Sequence, residues 1–255
     1  MGSSCRIDLN TQRQRGNRMS LLEVLQVSKR FGGLLANENV SFSVNSAQIV
    51  GLIGPNGAGK TTLFNCVAGY FAPSAGSIKL NGRNISGLHP EACAKAGVAR
   101  TFQVARTFSS MTACENVMTA AMLLQHNVAK ARVAALHWLS FVNLQHFADK
   151  SAASMTISEQ RRLAVARALA TEPSILLMDE VMAGLNPSEV RLAVDVVLKI
   201  RDSGIACLIV EHVLEGIMPI ADKIVVLDRG IKIAEGTPQQ VSNDPQVISA
   251  YLGDE

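Results

Sequence analysis

The amino-acid sequence predicts an α/β fold built on a mostly parallel sheet, with a small antiparallel β unit ahead of it and a helical lobe inserted into it. Three observations carry that expectation. From Ile49 to Gly69 an apolar strand, IVGLI, runs directly into a glycine-rich turn and then into a helix. From Thr156 onward helical stretches alternate with short apolar runs, the pattern of βα units around a parallel sheet. Polar residues, Gln103, Asp179, Glu180 and His212, then stand at the carboxyl ends of such runs, where sheets of this kind place their ligands.

Leu21 to Val44 supplies two strand-like runs, LLEVLQV and VSFSV, broken at Phe31-Gly32-Gly33, and their alternation predicts a small antiparallel sheet. After the helix that follows the glycine turn, Gly69 is placed as a C-terminal cap, and SIKLNGRNI carries Asn81-Gly82, a hairpin signal. Pro90 opens a short helix that ends at Gly97, and VARTFQ resumes as a strand finishing at Gln103. Between about Thr107 and Lys150 the strand signal vanishes. MTACENVMTAAMLL and AKARVAALHWLSFVNL space their apolar residues as helices do, with the sole tryptophan, Trp138, among them, so about 104–160 reads as an inserted helical lobe. His126, His137 and His146 fall there without metal-ligand spacing and read as exposed or packing side chains. From Thr156 the α/β pattern returns. Ser158 is expected to cap a helix running through Ala170, and Pro173 separates it from SILLMDE. A helix from Pro187 toward Ser203 follows; ACLIV ends at Glu211-His212, and KIVVLD turns at Asp228-Arg229-Gly230 into IKIAEG.

The glycine turn is a phosphate cradle. Gly54, Gly59, Lys60 and Thr61, with Pro55, Asn56, Gly57 and Ala58 between, satisfy G-x4-G-K-[ST], in which glycines let backbone N–H groups close around a triphosphate. The helix beginning near Lys60 aims its unpaired N–H groups and positive dipole end at the anion, Lys60 adds a cation, Thr61 offers a hydroxyl to Mg2+, and Thr62 adds a second hydroxyl. Asp179 closes an apolar run, Ile175 to Met178, with no cation beside it in sequence. A carboxylate at the mouth of a buried strand is costly unless it serves a cation, and Mg2+ bound to phosphates supplies one. Glu180 is placed to orient or deprotonate a water, and His212 and Gln103 can reach the same phosphate, Gln103 through the metal or the water. Phe31, upstream of the cradle, is a ring that stacks on a base or packs into the core.

Composition sets bounds on this reading. With 255 residues, 48% hydrophobic and 18% charged, the chain can bury a large core without staples. Cys5, Cys66, Cys93, Cys114 and Cys207 are odd in number, scattered and never in C-x-x-C spacing, which argues for a reducing compartment and against a disulfide framework or zinc site. Residues 1–18 hold Arg6, Arg13, Arg15 and Arg18 against Asp8; without them the 24 cations and 21 anions become 20 of each. The body is thus neutral and offers no nucleic-acid surface. The tail 1–18 lacks the apolar core of a signal peptide and reads as a disordered extension or an upstream start before Met19. Apolar runs fall short of the ~18 residues of a membrane span, so a soluble chain that docks on a membrane protein is expected.

The order GPNGAGKTT, TFQ, a helical lobe, a short segment before QRRLAVARALA, then ILLMDE, AGLN and VEH, resembles the nucleotide-binding subunits of ABC transporters from Leu21 to Leu252. The resemblance implies a P-loop NTPase core of the ABC ATPase type, one nucleotide-binding domain over 19–255, and ATP hydrolysis with Mg2+. It also implies roles: Phe31 as the base-stacking aromatic, Gly54 to Thr62 as the Walker A loop, Gln103 as the Q-loop glutamine and a metal ligand beside Thr61 and Asp179, Glu180 as the catalytic glutamate, His212 as the switch histidine. RTFQVARTFSSMTACENV, DEVMAGLNPSEV and IAEGTPQQVSNDPQVISAYLG are similar to ATPases of branched-chain amino-acid importers, a group whose relatives also carry urea, amides or aromatic acids. The implied partners are transmembrane permease subunits, a second ABC ATPase subunit and, indirectly, a solute-binding protein, with the chain peripheral on the cytoplasmic face of the bacterial inner membrane.

Two departures stand out. Met155-Thr156-Ile157-Ser158-Glu159 occupies the place of the family's LSGGQ signature, with Ser158 for a glycine, and Asn186 stands for the usual D-loop aspartate. In ABC proteins each ATP is held between one subunit's Walker A loop and the other's signature, so the departures predict a heterodimer of ATPases with unequal sites, a homodimer being the alternative. Two rivals remain at this point. A non-transport ABC ATPase acting on DNA or ribosomes normally brings a second cassette or long arms, absent from this sequence. A different P-loop enzyme, such as a small-molecule kinase, needs an acceptor-binding lobe.

Overall fold

The computed structural model describes residues 20–101 and 107–252; Gln103 and the tail 1–18 lie outside the described residues. Two sheets organise the chain. The first is antiparallel, in the order β2-β1-β4-β5, from β1 (Leu22–Phe31), β2 (Leu34–Val44), β4 (Ala75–Leu80) and β5 (Arg83–Asn84). The second has the order β10-β9-β3-β8-β7-β6, from β3 (Ile49–Ile53), β6 (Val98–Arg100), β7 (Ile175–Asp179), β8 (Ala206–Val210), β9 (Lys223–Asp228) and β10 (Ile231–Gly236). Its neighbours pair in parallel except the β9-β10 hairpin.

The parallel strands read as unbroken apolar runs because both of their faces are covered. Ile49, Ile53, Leu176, Met178, Cys207, Ile209, Ile224 and Val226 point into one core. Their chain neighbours Val50, Leu52, Ile175, Leu177, Leu208, Val210, Val225 and Leu227 point into the other. The period of two along each strand sorts the residues between the two layers. The second core is closed by α1 (Lys60–Val67), α2 (Pro90–Ala96) and the antiparallel sheet, through Leu63, Phe64, Cys93, Val24 and Ile78. The first core is closed by α3 (Ala113–Ala121), α4 (Val128–Phe141), α5 (Ile157–Leu169), α6 (Pro187–Asp202), α7 (Leu214–Ile217), α8 (Pro238–Ser242) and α9 (Pro245–Leu252).

The helical stretch packs α3 against both α4 and α5. Its ends are tied together where Ala113 N–H donates to Lys150 O at 2.9 Å and Cys114 N–H to Ala148 O at 2.9 Å. His126, His137 and His146 are exposed.

Two elements differ from the sequence expectation. The strand after Gly97 stops at Arg100, three residues before Gln103, although Thr101 N–H still donates to Leu177 O at 2.9 Å. Thr156, not Ser158, caps α5: the Thr156 hydroxyl accepts from Glu159 N–H at 3.3 Å, and the Glu159 carboxylate accepts from Thr156 N–H at 2.7 Å. That reciprocal box satisfies two end groups at once, whereas Ser158 is buried inside the first turn.

Candidate active site

The carboxyl ends of β3, β7 and β8 meet at one cleft of about 590 Å³, within the ~300–1,000 Å³ range of small-molecule sites. It is lined by the loop from Asn56 to Thr62, by Glu180 and His212, by Leu34, Leu35 and Ala36 at the start of β2, and by Arg229. The loop conformation depends on glycine. Gly54 has φ +147°, and a Cβ there would lie 2.0 Å from Leu227 O; Gly59 has φ +92°, and a Cβ would lie 2.5 Å from both Ala36 O and Asn37 Nδ2. Asn37, fully buried on β2, donates from Nδ2 to Gly59 O at 3.2 Å, and Gly230 N–H donates to Ala58 O at 3.1 Å. The loop is therefore clamped from both hairpins.

α1 begins with no side-chain cap and no acid in its first turn. By contrast α3, α5, α6 and α8 each carry a reciprocal capping box. The uncapped end leaves its first N–H groups facing the cleft, an anion receptor by construction. Lys60 is 5% exposed, and its Nζ donates to Gly54 O at 2.7 Å and Pro55 O at 2.9 Å, holding the ammonium against the loop it would share with phosphate. Burial pulls Lys60 below the ordinary lysine value, and the Glu180 carboxylate opposes that shift. Thr61 and Thr62 both reach the cleft wall.

Asp179 ends β7 and is 6% exposed. It is not among the lining residues; it sits beneath Glu180. The cation that sequence reasoning could not find beside it comes from β6: Arg100 Nη2 stands 3.0 Å from Asp179 Oδ2. Burial pushes the Asp179 carboxyl up, and Arg100 is the chief opposing influence. Glu180 lies just past the strand with φ +49°, a left-handed conformation that costs a non-glycine residue about 1–3 kcal/mol and recurs at functional sites. Its N–H donates to Val210 O at 2.9 Å, and its Oε1 lies 3.2 Å from His212 Nε2. That leaves a carboxylate and an imidazole aimed at the space in front of the phosphate loop.

Phe31 is not brought into the cleft lining. Its exposed ring meets Phe71 edge-on at 5.1 Å, with the Lys29 ammonium 4.8 Å from its centroid. Sequence reasoning missed three residues. Arg229 was read as part of a turn, and Arg100 as part of a strand. Glu211 was read as a strand end, but it is fully buried and accepts from Met182 N–H at 2.7 Å. An arginine inside an apolar strand was a signal for a buried acid elsewhere.

The donor set fits a hard cation. Thr61 offers a hydroxyl, and Asp179 offers Oδ1, which takes no hydrogen bond from the described residues, so every donor is oxygen. Among the described residues no group of three or more His, Cys, Asp or Glu could cage a metal alone. A cation at this place would need phosphate oxygens and water to complete its shell, as magnesium does.

A family model described as ABC transporter matches residues 37–183, and one described as branched-chain amino acid ATP-binding cassette transporter matches residues 232–255. The chain is 42% identical to the high-affinity branched-chain amino acid transport ATP-binding protein BraF of Pseudomonas aeruginosa, over 92% of this chain and 98% of that protein. It is 40% identical to the corresponding protein LivG of Escherichia coli over the same shares. Among solved structures it is similar to the ADP conformation of MJ1267, an ATP-binding cassette of an ABC transporter, with TM-score 0.84 and 29% identity over 92% of this chain and 100% of that one. With the glycine loop, Glu180 and His212 on one cleft, Asp179 next to Glu180 in the chain, and these likenesses over nearly its whole length, the chain belongs to the ABC transporter family as an ATP-binding subunit and ATPase.

Proposed function

We propose that the chain powers an importer of branched-chain amino acids from the cytoplasmic face of the bacterial inner membrane, docked on transmembrane permease subunits that receive solute from a binding protein. The relatives' names, and the second family match in the C-terminal region, support this solute class over urea, amides or a non-transport role. Among the described residues no helix is long and apolar enough to cross a membrane. In this reading residues 19–255 form one nucleotide-binding domain whose helical subdomain spans about 104–160.

One observation carries the chemistry: the phosphate loop, Glu180 and His212 line the same cleft. The loop's N–H groups and Lys60 hold the triphosphate. Thr61 and Asp179, with Gln103 from outside the described residues, would hold Mg2+, which would supply charge neutralisation on the phosphates. Glu180 takes the proton of the attacking water as its oxygen bonds to the terminal phosphorus and the bond to ADP breaks. His212, whose Nε2 stands 3.2 Å from Glu180 Oε1, reaches the same phosphate. Phe31 stacks on the base once its ring turns from Phe71.

The second ATPase subunit is a different chain in this proposal. The Thr156 hydroxyl accepts from Glu159 N–H and the Glu159 carboxylate accepts from Thr156 N–H, so the segment standing for the signature carries its own anion. That weakens the partner's site more than this chain's own. The test is uptake of labelled leucine into vesicles reconstituted with the permease and binding-protein subunits. Lys60→Ala and the equivalent change in the partner should cut uptake unequally; equal losses overturn the unequal-site reading, and uptake of urea but not leucine overturns the solute.

A further inference from the structure

Asp179 has a resident counter-ion built from three elements. Arg100 closes β6, an edge strand of the parallel sheet, in register with Leu177 two residues before Asp179. Its side chain is 12% exposed and that of Asp179 is 9%. One arm, Nη2, donates to Asp179 Oδ2 at 3.0 Å; the other, Nη1, donates to Asn65 Oδ1 on α1. The guanidinium lies 4.9 Å from the Phe64 ring centroid and 5.1 Å from that of Tyr70, both contributed by α1 or the turn after it. Aromatic packing fixes the plane of the fork, and the fork fixes both oxygens.

The position of Asn65 gives this arrangement a consequence. Asn65 lies four residues after Thr61, so the two share one face of α1, one turn apart. The two arms of one rigid group therefore tie the Thr61 helix to the Asp179 strand. With Oδ2 occupied, Oδ1 is the atom left to face a cation.

We propose that Arg100 is the positioning residue of the magnesium site: it spans from Asn65 to Asp179 and sets where the Asp179 carboxylate stands relative to the Thr61 hydroxyl. The inference rests on the reading that Thr61 and Asp179 take the cation, and the experiment separates the two.

The full chain is titrated with a fluorescent ATP analogue at increasing Mg2+ and also in EDTA, for wild type, R100M, R100K, D179N and the R100M/D179N double variant. Partners that orient metal ligands typically contribute about 10–100-fold to metal affinity. R100M should raise the Mg2+ concentration for half-maximal binding by about tenfold, with affinity in EDTA changed less than about twofold. R100K, which keeps the charge but cannot span both partners, should fall between. In the D179N background R100M should add less than about twofold, because its effect runs through the missing carboxylate. An unchanged Mg2+ curve in R100M, an equal loss in EDTA, or full additivity with D179N overturns the positioning role. If R100M fails to fold, R100K decides: a Mg2+ curve like that of wild type overturns the proposal. An unchanged curve in D179N overturns instead the metal-ligand reading beneath it.

Discussion

Glu211 gives the structure its most quantitative test. The side chain is fully buried between the ends of β7 and β8, where Oε1 accepts from Met182 N–H at 2.7 Å and Oε2 has no hydrogen-bond partner among the described residues. Burial raises its carboxyl from 4.5 to about 7, against the lowering influence of nearby backbone N–H groups, with Glu180 adding to the rise. A folded value above the unfolded one means the folded state binds the proton more tightly. The group imposes no pH-dependent penalty below about 4.5; from there up to about 7 the native state progressively loses stability relative to the unfolded chain, and above about 7 the loss levels off. The shift from 4.5 to about 7, at about 1.4 kcal/mol per unit, sets a ceiling of about 3 kcal/mol. Glu211→Gln keeps an oxygen for Met182 N–H and removes the titration. Thermal unfolding of both proteins between pH 5 and pH 8 should show the variant gaining on wild type as pH rises, by up to about 5–10 °C for a chain of this size. A constant offset from the amide's extra hydrogen leaves that slope untouched. Parallel curves across the range refute a buried, proton-holding Glu211.

Other perturbations follow from the same geometry. Glu180→Gln should retain ATP within a few-fold while hydrolysis falls roughly 10²–10⁴-fold, measured as phosphate release; undiminished turnover removes Glu180 from the base role. Gly54→Ala, whose Cβ would lie 2.0 Å from a backbone oxygen, should displace the phosphate loop and abolish ATP binding. Gly57→Ala, with nothing within 4 Å of its Cβ but φ +81°, should cost only about 1–2 kcal/mol and keep binding, as denaturant unfolding with ATP titration would report. Thr156→Ala should destabilise by about 1 kcal/mol through loss of the α5 cap, more than Ser158→Ala; the reverse order contradicts the capping box.

Local chemistry made much of this molecule legible in its sequence. The spacing from Gly54 to Thr61 dictates a phosphate loop because each residue acts on its near neighbours. The parallel strands announced themselves as apolar runs because two cores bury them from both sides. The β hairpins and most helix ends followed from turn and capping chemistry. Thr156 was legible too: the Thr-x-x-Glu box was present in the letters, and the neighbouring serine drew the assignment. What stayed hidden was non-local. Arg100 and Asp179 are 79 residues apart, and only the pairing of β6 with β7 brings them together. Arg229 reaches the cleft because Gly230 is latched to Ala58, a contact across 172 residues that no spacing encodes.

The two acids of the motif are in fact three. Asp179, Glu180 and Glu211 crowd the ends of β7 and β8, and Glu180 pushes both of the others toward the protonated form. Neighbouring carboxyls in low dielectric cannot all ionise without cost, and environments that push them apart assign their roles. Arg100 opposes the rise of Asp179, which suits an acid meant to hold a cation. Glu180 is the one carboxyl among the described residues lining the cleft, with Lys60 in the same lining and His212 beside it, which is the position that the proposed reaction asks of its base. Glu211 has no cation partner among the described residues and does not line the cleft, so burial lifts its carboxyl to about 7. Burial thus disfavours a third negative charge at these strand ends, and the backbone of the loop after Asp179 hangs from that same carboxyl through Met182.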